Sequence, residues 1–144
     1  MNEAAFGDSA LGIFTQDPAI AEHVVGSCQW CGKTLRLVLS RDGGTYEQAA
    51  THAVSFLEKQ RLWNEELNDR IHSSLYETWD ECWRQDGEPL DKDQWLARLE
   101  LYSIEVSAEG YLSAWYRDGD LFWGHLVNVF GKLDSGTMYA DLMG

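Results

Sequence analysis

The chain is poor in proline, cysteine and basic residues, and it contains no long apolar run. It has two Pro, three Cys and 11 Lys plus Arg against 24 Asp plus Glu, which gives a net charge of −13. Three cysteines, an odd number, do not suggest the disulfide framework of a small secreted domain. No window approaches the roughly 18 apolar residues of a membrane span.

The shortage of basic residues argues against binding to nucleic acid or to anionic membranes, because neutralising phosphates requires clustered Lys and Arg. The strong negative charge instead favours a basic protein partner, whose association it would accelerate. The first residues lack a basic segment followed by a long apolar run, so we expect no secretory signal and a cytoplasmic location.

What the chain does contain is a large apolar and aromatic content. Of its 144 residues, 44% are hydrophobic, including seven Trp, six Tyr and five Phe. This is enough to build one hydrophobic core. We predict a single domain over residues 1–144, with a flexible N-terminus at 1–9, strands over 10–42, helices over 45–99 and strands again over 99–144.

Hydrophobic periodicity changes twice along this domain. The alternation of Leu35, Leu37 and Leu39 after a turn at Gly32 predicts a β-hairpin. From Tyr46 the apolar residues recur at helical spacing. We expect two helices that meet between residues 60 and 64, or one long bent helix.

Capping residues mark two of the predicted helix starts. Thr45 with Gln48 three residues later forms a capping-box pattern. Asp91 is expected to cap a short helix that follows. Alternation returns after residue 99. The order of elements predicts an α+β fold, in which an antiparallel sheet of about six to seven strands packs one face against two or three mid-chain helices.

The segment DGDLFWGHLVNVF, residues 118–130, carries the first candidate site. Period-2 alternation places His125 on a central strand with apolar residues on both faces. One interpretation is a core histidine satisfied by a hydrogen bond. The other is a general acid or base at a pocket mouth, with Asp118 or Asp120 as its partner.

The sequence CQWCG provides a second candidate, since Cys28 and Cys31 have the spacing of a zinc knuckle or a redox pair. A closed zinc site would need Cys82 and one of His23, His52 or His72 as further ligands. A redox pair normally opens a helix, whereas a strand follows here. Two half-buried thiols at the end of a hairpin are the competing interpretation, and we predict no metal and no cofactor.

The third candidate is a run of acidic residues between two tryptophans. A charge run is most often a solvated surface, but interleaved Trp79, Trp83 and Trp95 are typical of interface anchors. The spacing also continues an apolar helix face to Trp79, which predicts that Trp79 lies in the core. The candidate binding residues are Asp80, Glu81, Asp86, Glu88, Asp91 and Asp93.

Four short motifs resemble a family of small bacterial proteins that carry a domain of unknown function. They are LGIF at residues 11–14, WCGK at 30–33, LYETWDECW at 75–83 and GDLFWGH at 119–125. The resemblance covers about residues 10–144, and the last motif is its most specific part. It implies a shared fold, and it carries over no catalytic residue. The chain departs from the family pattern in Glu77-Thr78 before Trp79 and in the cysteine pair.

These observations lead to three functional hypotheses. The first is a non-enzymatic acidic protein, of the immunity or regulatory type, that masks a basic partner. The second is a small enzyme that uses His125 with Asp118 or Asp120 as an acid/base pair. The third is a small-molecule sensor in which Trp115, Tyr116 and Trp123 line one apolar pocket.

Overall fold

The computed structural model describes residues 4–85, 87 and 89–143. One eight-stranded sheet carries its strands in chain order, from β1 at one edge to β8 at the other. The first four strands are β1 (Ala4–Asp8), β2 (Gly12–Gln16), β3 (His23–Trp30) and β4 (Lys33–Ser40). The last four are β5 (Glu100–Ser107), β6 (Tyr111–Arg117), β7 (Leu126–Lys132) and β8 (Thr137–Met143).

Three helices and one π-helical turn connect the two halves of the sheet. They are α1 (Tyr46–Glu58), α2 (Gln60–Thr78), the π-helical turn (Trp79–Trp83) and α3 (Lys92–Arg98). This crossover makes β4 and β5 parallel, whereas every other neighbouring pair is antiparallel. Parallel neighbours require such a long connection, while antiparallel neighbours need only a tight turn.

The α+β architecture agrees with the sequence pattern, but the number of strands does not. The structure has eight strands rather than six to seven. The additional strand, β1, lies in the segment that we assigned to a flexible N-terminus. Its sequence AAFGD offers only Phe6 as a large apolar residue, which is too little for alternation to detect.

Local signals located the helix boundaries well. Thr45 and Gln48 form the predicted capping box at the start of α1, and Asp91 with Gln94 forms another at the start of α3. The break in the long helical region falls at Lys59, between α1 and α2 and one residue before the predicted stretch 60–64. Trp79 is buried, as the helical spacing indicated.

The core lies between the helices and one alternating set of strand side chains. Contacts run from α1 to β1, β4 and β5, and from α2 to β7 and β8, so the helices touch both halves of the sheet. The strand side chains in this core include Leu37, Leu39, Ile104, Val106, Leu112, Ala114, Val127 and Val129, and the helix side chains include Ala53, Phe56, Leu67, Ile71 and Trp95.

The opposite face of the sheet is partly open. Phe130 and Tyr139 are exposed there, while Glu105 and Ser113 are half-buried. Among the helices of the described residues, none combines the length and the apolar character that crossing a membrane requires.

Candidate functional site

A cleft of about 520 Å³ opens where the helical crossover meets the connection between β6 and β7. One wall comes from the π-helical turn and the residues after it, and the other from residues 118–124, which we call the 118–124 turn. The side chains that define this tryptophan cleft are Trp79, Trp83, Arg84, Arg98, Asp120 and Trp123. Its volume falls within the range of small-ligand sites.

A buried carboxylate holds the 118–124 turn together. Asp118 is only 6% exposed, and its side chain accepts three backbone N–H bonds. Oδ1 accepts from Asp120 at 3.1 Å, and Oδ2 accepts from Phe122 and from Gly124, both at 2.9 Å. The carboxylate therefore takes the place of the ladder partners that these N–H groups would have in a strand.

The backbone of this turn adopts left-handed conformations at four positions. Gly119 and Gly124 do so without strain, with φ of 58° and 92°. Asp120 has a φ of 65°, which Asp adopts more readily than most residues. Trp123 has a φ of 58°, which is unusual for a bulky residue. A left-handed residue other than glycine costs about 1–2 kcal/mol. Strain of this kind clusters at functional sites, so Trp123 marks this turn as a candidate.

Contacts with the π-helical turn fix the Trp123 side chain. Its indole N–H donates to the carbonyl oxygen of Trp83 at 3.2 Å. The two indole rings meet edge to face, with centroids 4.8 Å apart. Trp123 nevertheless stays 60% exposed, the largest aromatic surface offered by the described residues. Single π-helical turns that continue an α-helix, as this one continues α2, are rare, and many lie at functional sites.

The alternation predicted that His125 lies on a central strand, and this prediction is wrong. Residues 118–124 form a turn, and His125 comes directly before β7. Its Nδ1 lies 2.7 Å from the carbonyl oxygen of Phe122, and its ring packs against Trp83 at 5.3 Å. Alternation was misleading because the four left-handed residues reverse the chain within an apolar sequence.

The structure does not pair His125 with either predicted carboxylate. Asp118 directs its oxygens at backbone N–H groups, while Asp120 lines the cleft. Within the described part of the chain, no ion pair joins His125 to either residue. The segment is thus built around hydrogen bonds that hold the turn.

The described acidic candidates lie on the π-helical turn and at the start of α3, and they differ in their surroundings. Asp80 lies 2.8 Å from Nε of Arg84, and Glu81 is exposed on the π-helical turn. Asp91 accepts from the N–H of Gln94 at 2.8 Å, and Asp93 is exposed in the first turn of α3. Asp86 and Glu88 lie outside the described residues.

Two arginines in the cleft carried no recognisable signal in the sequence. Arg84 pairs with Asp80 and also donates to the carbonyl oxygen of Gly87 at 2.6 Å. Arg98, at the end of α3, donates to the carbonyl oxygen of Gly119 at 2.6 Å. The position of Arg98 depends on how α3 meets the 118–124 turn, a tertiary contact that sequence spacing does not encode, whereas the partners of Arg84 are local in the sequence.

The cysteine pair lies on the β3–β4 hairpin, away from the cleft. Cys28 is half-buried in β3, and burial raises the pKa of its thiol to about 11. Cys31 is exposed in the turn with φ of 47°, and Cys82 is exposed on the π-helical turn. Within residues 4–85, 87 and 89–143, no group of three or more His, Cys, Asp or Glu side chains is arranged to hold a metal ion.

The three residues of the sensor hypothesis do not share a pocket. Tyr116 is buried in the core, and burial raises the pKa of its hydroxyl. Trp115, its neighbour on β6, points to the opposite face of the sheet. Of the three, only Trp123 lines the tryptophan cleft.

Comparison with known proteins gives one match. A family model described as "Uncharacterized protein conserved in bacteria (DUF2262)" matches residues 8–142. No curated protein and no solved structure matches the chain.

The three cysteine thiols should differ in their rates of reaction with a disulfide reagent. At neutral pH, Cys31 and Cys82 should react rapidly with a disulfide reagent such as DTNB, because both are exposed. Cys28 should react far more slowly and accelerate as the pH approaches about 11, because only the thiolate attacks. Stopped-flow absorbance measures both phases. Cys28→Ala should remove only the slow phase, and three equal rates would contradict this assignment.

Asp118→Asn should loosen the 118–124 turn. The substituted amide keeps one acceptor oxygen and places an NH₂ group against backbone donors, so unfolding should become easier by about 1–3 kcal/mol. Chemical denaturation measures this loss, and hydrogen exchange should accelerate at the amides of Phe122 and Gly124. Asp120→Asn is the matched control, since Asn tolerates the left-handed conformation. Equal stability of the two variants would show that Asp118 does not organise the turn.

Proposed function

We propose that this chain, which belongs to the DUF2262 family of uncharacterized proteins conserved in bacteria, is a non-enzymatic binding protein that masks a basic partner protein. Its role would be of the immunity or regulatory type. The proposed binding surface, which we call the Trp123 epitope, consists of Trp123 and Trp83 with the acidic residues Asp80, Glu81 and Asp120 beside them.

The observation that carries this proposal is the presentation of Trp123. Its ring is 60% exposed, yet its indole N–H is bound to Trp83 and its backbone is fixed by the hydrogen bonds of Asp118. A large aromatic side chain that is already immobile loses little entropy when a partner covers it. Interface hot spots are enriched in such tryptophans.

The charge around this ring supports a basic partner. Glu81 is exposed on the π-helical turn, and Asp120 lies in the same turn as Trp123. A Lys or Arg of the partner could contact the indole face and a carboxylate together, which combines cation–π attraction with an ion pair. The net charge of −13 would also steer a basic protein toward the chain.

The arginines of the cleft do not oppose this arrangement. Arg84 is paired with Asp80, and Arg98 is tied to the backbone of the 118–124 turn. Arg84 supports its own wall, whereas Arg98 joins the end of α3 to the 118–124 turn. The basic groups of a partner would therefore meet the exposed rim at Trp123 and Glu81, and they would not enter the cleft beside Arg98.

The hydrogen bonds of the turn favour binding over catalysis. Both oxygens of Asp118 are occupied by backbone N–H groups, and Nδ1 of His125 is bound to the carbonyl oxygen of Phe122. Side chains that are bonded to the backbone in this way stabilise the conformation of the turn. The enzyme hypothesis, in which His125 works with Asp118 or Asp120, stays a prediction. The unpaired thiols Cys28, Cys31 and Cys82 support a reducing, cytoplasmic location.

Trp123→Ala should strongly weaken partner binding. Immobilised protein should capture basic bacterial proteins at about 0.05 M salt and release them at about 0.5 M, because screening weakens exposed charge contacts. Loss of an anchoring Trp should weaken the captured complex by about 30-fold or more, as measured by biolayer interferometry. Tyr139→Ala, which removes an exposed aromatic ring from the sheet face, is the matched control and should bind normally.

Two outcomes would decide against this proposal. Capture that is insensitive to both Trp123→Ala and salt would mean that the Trp123 epitope is not the binding surface. His125→Ala offers the test of the enzyme hypothesis. An activity that disappears in this variant while the melting temperature is unchanged would favour the acid/base pair, whereas a lowered melting temperature alone would assign His125 to the structure.

A further inference from the structure

The two edges of the sheet are built differently. At one edge, β1 is described over five residues, and a bulge between Ala4 and Phe6 interrupts its pairing. At the other edge, β8 has seven residues in unbroken register with β7. Short strands and bulges protect natural sheet edges from pairing with other chains. Of the two edge strands, only β1 carries a bulge within the described residues.

The open side of β8 can be identified from its backbone contacts. The N–H of Leu142 donates to Oδ1 of Asp141 at 2.9 Å, whereas the carbonyl oxygen of Thr137 faces β7, where a Cβ on Gly131 would collide with it. Backbone groups alternate in direction along a strand. Met138, Ala140 and Leu142 therefore direct their N–H and C=O groups away from the sheet.

Exposed aromatic side chains lie on the open sheet face next to this edge. Phe130 and Tyr139 have ring centroids 5.7 Å apart, and with Tyr111 they line a groove of about 550 Å³. All three are more than 40% exposed. Glu105 and Lys132 line the same groove, so it carries charges of both signs. A contiguous apolar patch beside an open edge is typical of an association surface.

We propose that two copies of the chain pair through β8 in antiparallel orientation, with Ala140 opposite Ala140 of the partner subunit. In this register Met138 faces Leu142 of the partner subunit, and each pair exchanges backbone hydrogen bonds. The sheets of the two copies then form one continuous sheet. The surface is distinct from the Trp123 epitope, so this proposal does not depend on the proposed function.

Charge along β8 is what favours a second copy as the occupant. Asp141 is the single charged residue of the strand. The proposed register places it opposite Tyr139 of the partner subunit, so the two carboxylates do not face each other. In the single chain the Leu142 N–H donates to Asp141, and in the dimer it would donate instead to the carbonyl oxygen of the partner's Met138. A basic segment would find only Asp141 and Glu105 here, with Lys132 opposing it.

The dependence on salt has the opposite sign to that of partner binding. Two copies with a net charge of −13 each repel one another. Raising the salt from about 0.05 M to about 0.5 M shortens the screening length and should strengthen the dimer. Binding of a basic protein should weaken over the same range. The two proposals can therefore fail independently.

Sedimentation equilibrium of the full chain over a concentration series tests the dimer. The average mass should rise from 16.4 kDa toward twice that value, and it should rise further at higher salt. A mass that stays at 16.4 kDa at about 0.5 M salt and a protein concentration of about 100 μM would overturn the proposal.

Two substitutions at Tyr139 test the register. Tyr139→Asp places a carboxylate opposite the partner's Asp141, whereas Tyr139→Lys places a cation there. The dimer dissociation constants of these two variants should differ on the order of tenfold, with Tyr139→Lys the tighter, because the contact occurs twice. Tyr139 is exposed, so both variants should fold, and circular dichroism checks that they do.

Thr51→Asp and Thr51→Lys are the matched controls. Thr51 is exposed on α1, and these variants change the net charge by the same amounts as the Tyr139 variants. They should differ from each other much less than the Tyr139 pair does. Equal differences in the two pairs would mean that only global charge acts, and the proposed β8 register would be wrong.

Discussion

The parallel pairing of β4 with β5 is the constraint on which the rest of the structure depends. Two parallel neighbours cannot be joined by a tight turn, so the chain must cross back over the sheet between them. All three helices and the π-helical turn lie in that crossover. The crossover covers the apolar face of two four-stranded antiparallel units, and it brings the end of α2 to the connection between β6 and β7. The tryptophan cleft exists because these two segments meet there.

Much of the fold follows from local sequence signals. Leu35, Leu37 and Leu39 identified β4, the capping boxes at Thr45 and Asp91 located two helix starts, and the apolar spacing up to Trp79 identified a buried helix face. These signals act over a few residues and suffice to define an element. The parallel register of β4 and β5 and the presence of β1 depend on contacts between distant residues, which a single sequence does not reveal.

The candidate site was predicted less completely, and the 118–124 turn explains why. Leu121, Trp123, His125 and Val127 alternate as in a strand, yet a single carboxylate overrides that pattern. Asp118 accepts three N–H bonds that a neighbouring strand would otherwise accept, and two glycines remove the steric barrier to reversal. Sequence analysis singled out Asp120, which lines the cleft, but it gave no supporting role to Arg84 or Arg98. The role of Arg98 arises only when α3 contacts the turn.

The clustering of tryptophans also gives the molecule distinctive optical properties. Four of its seven tryptophans line or support the cleft, with Trp83 and Trp123 at 4.8 Å and Trp79 and Trp95 at 6.3 Å between ring centroids. Indoles this close exchange excitation energy and couple their electronic transitions. These coupled pairs should therefore contribute strongly to the near-ultraviolet circular dichroism of the chain. Because Trp79, Trp83 and Trp123 line the cleft, the native protein carries its own spectroscopic probe of any event there.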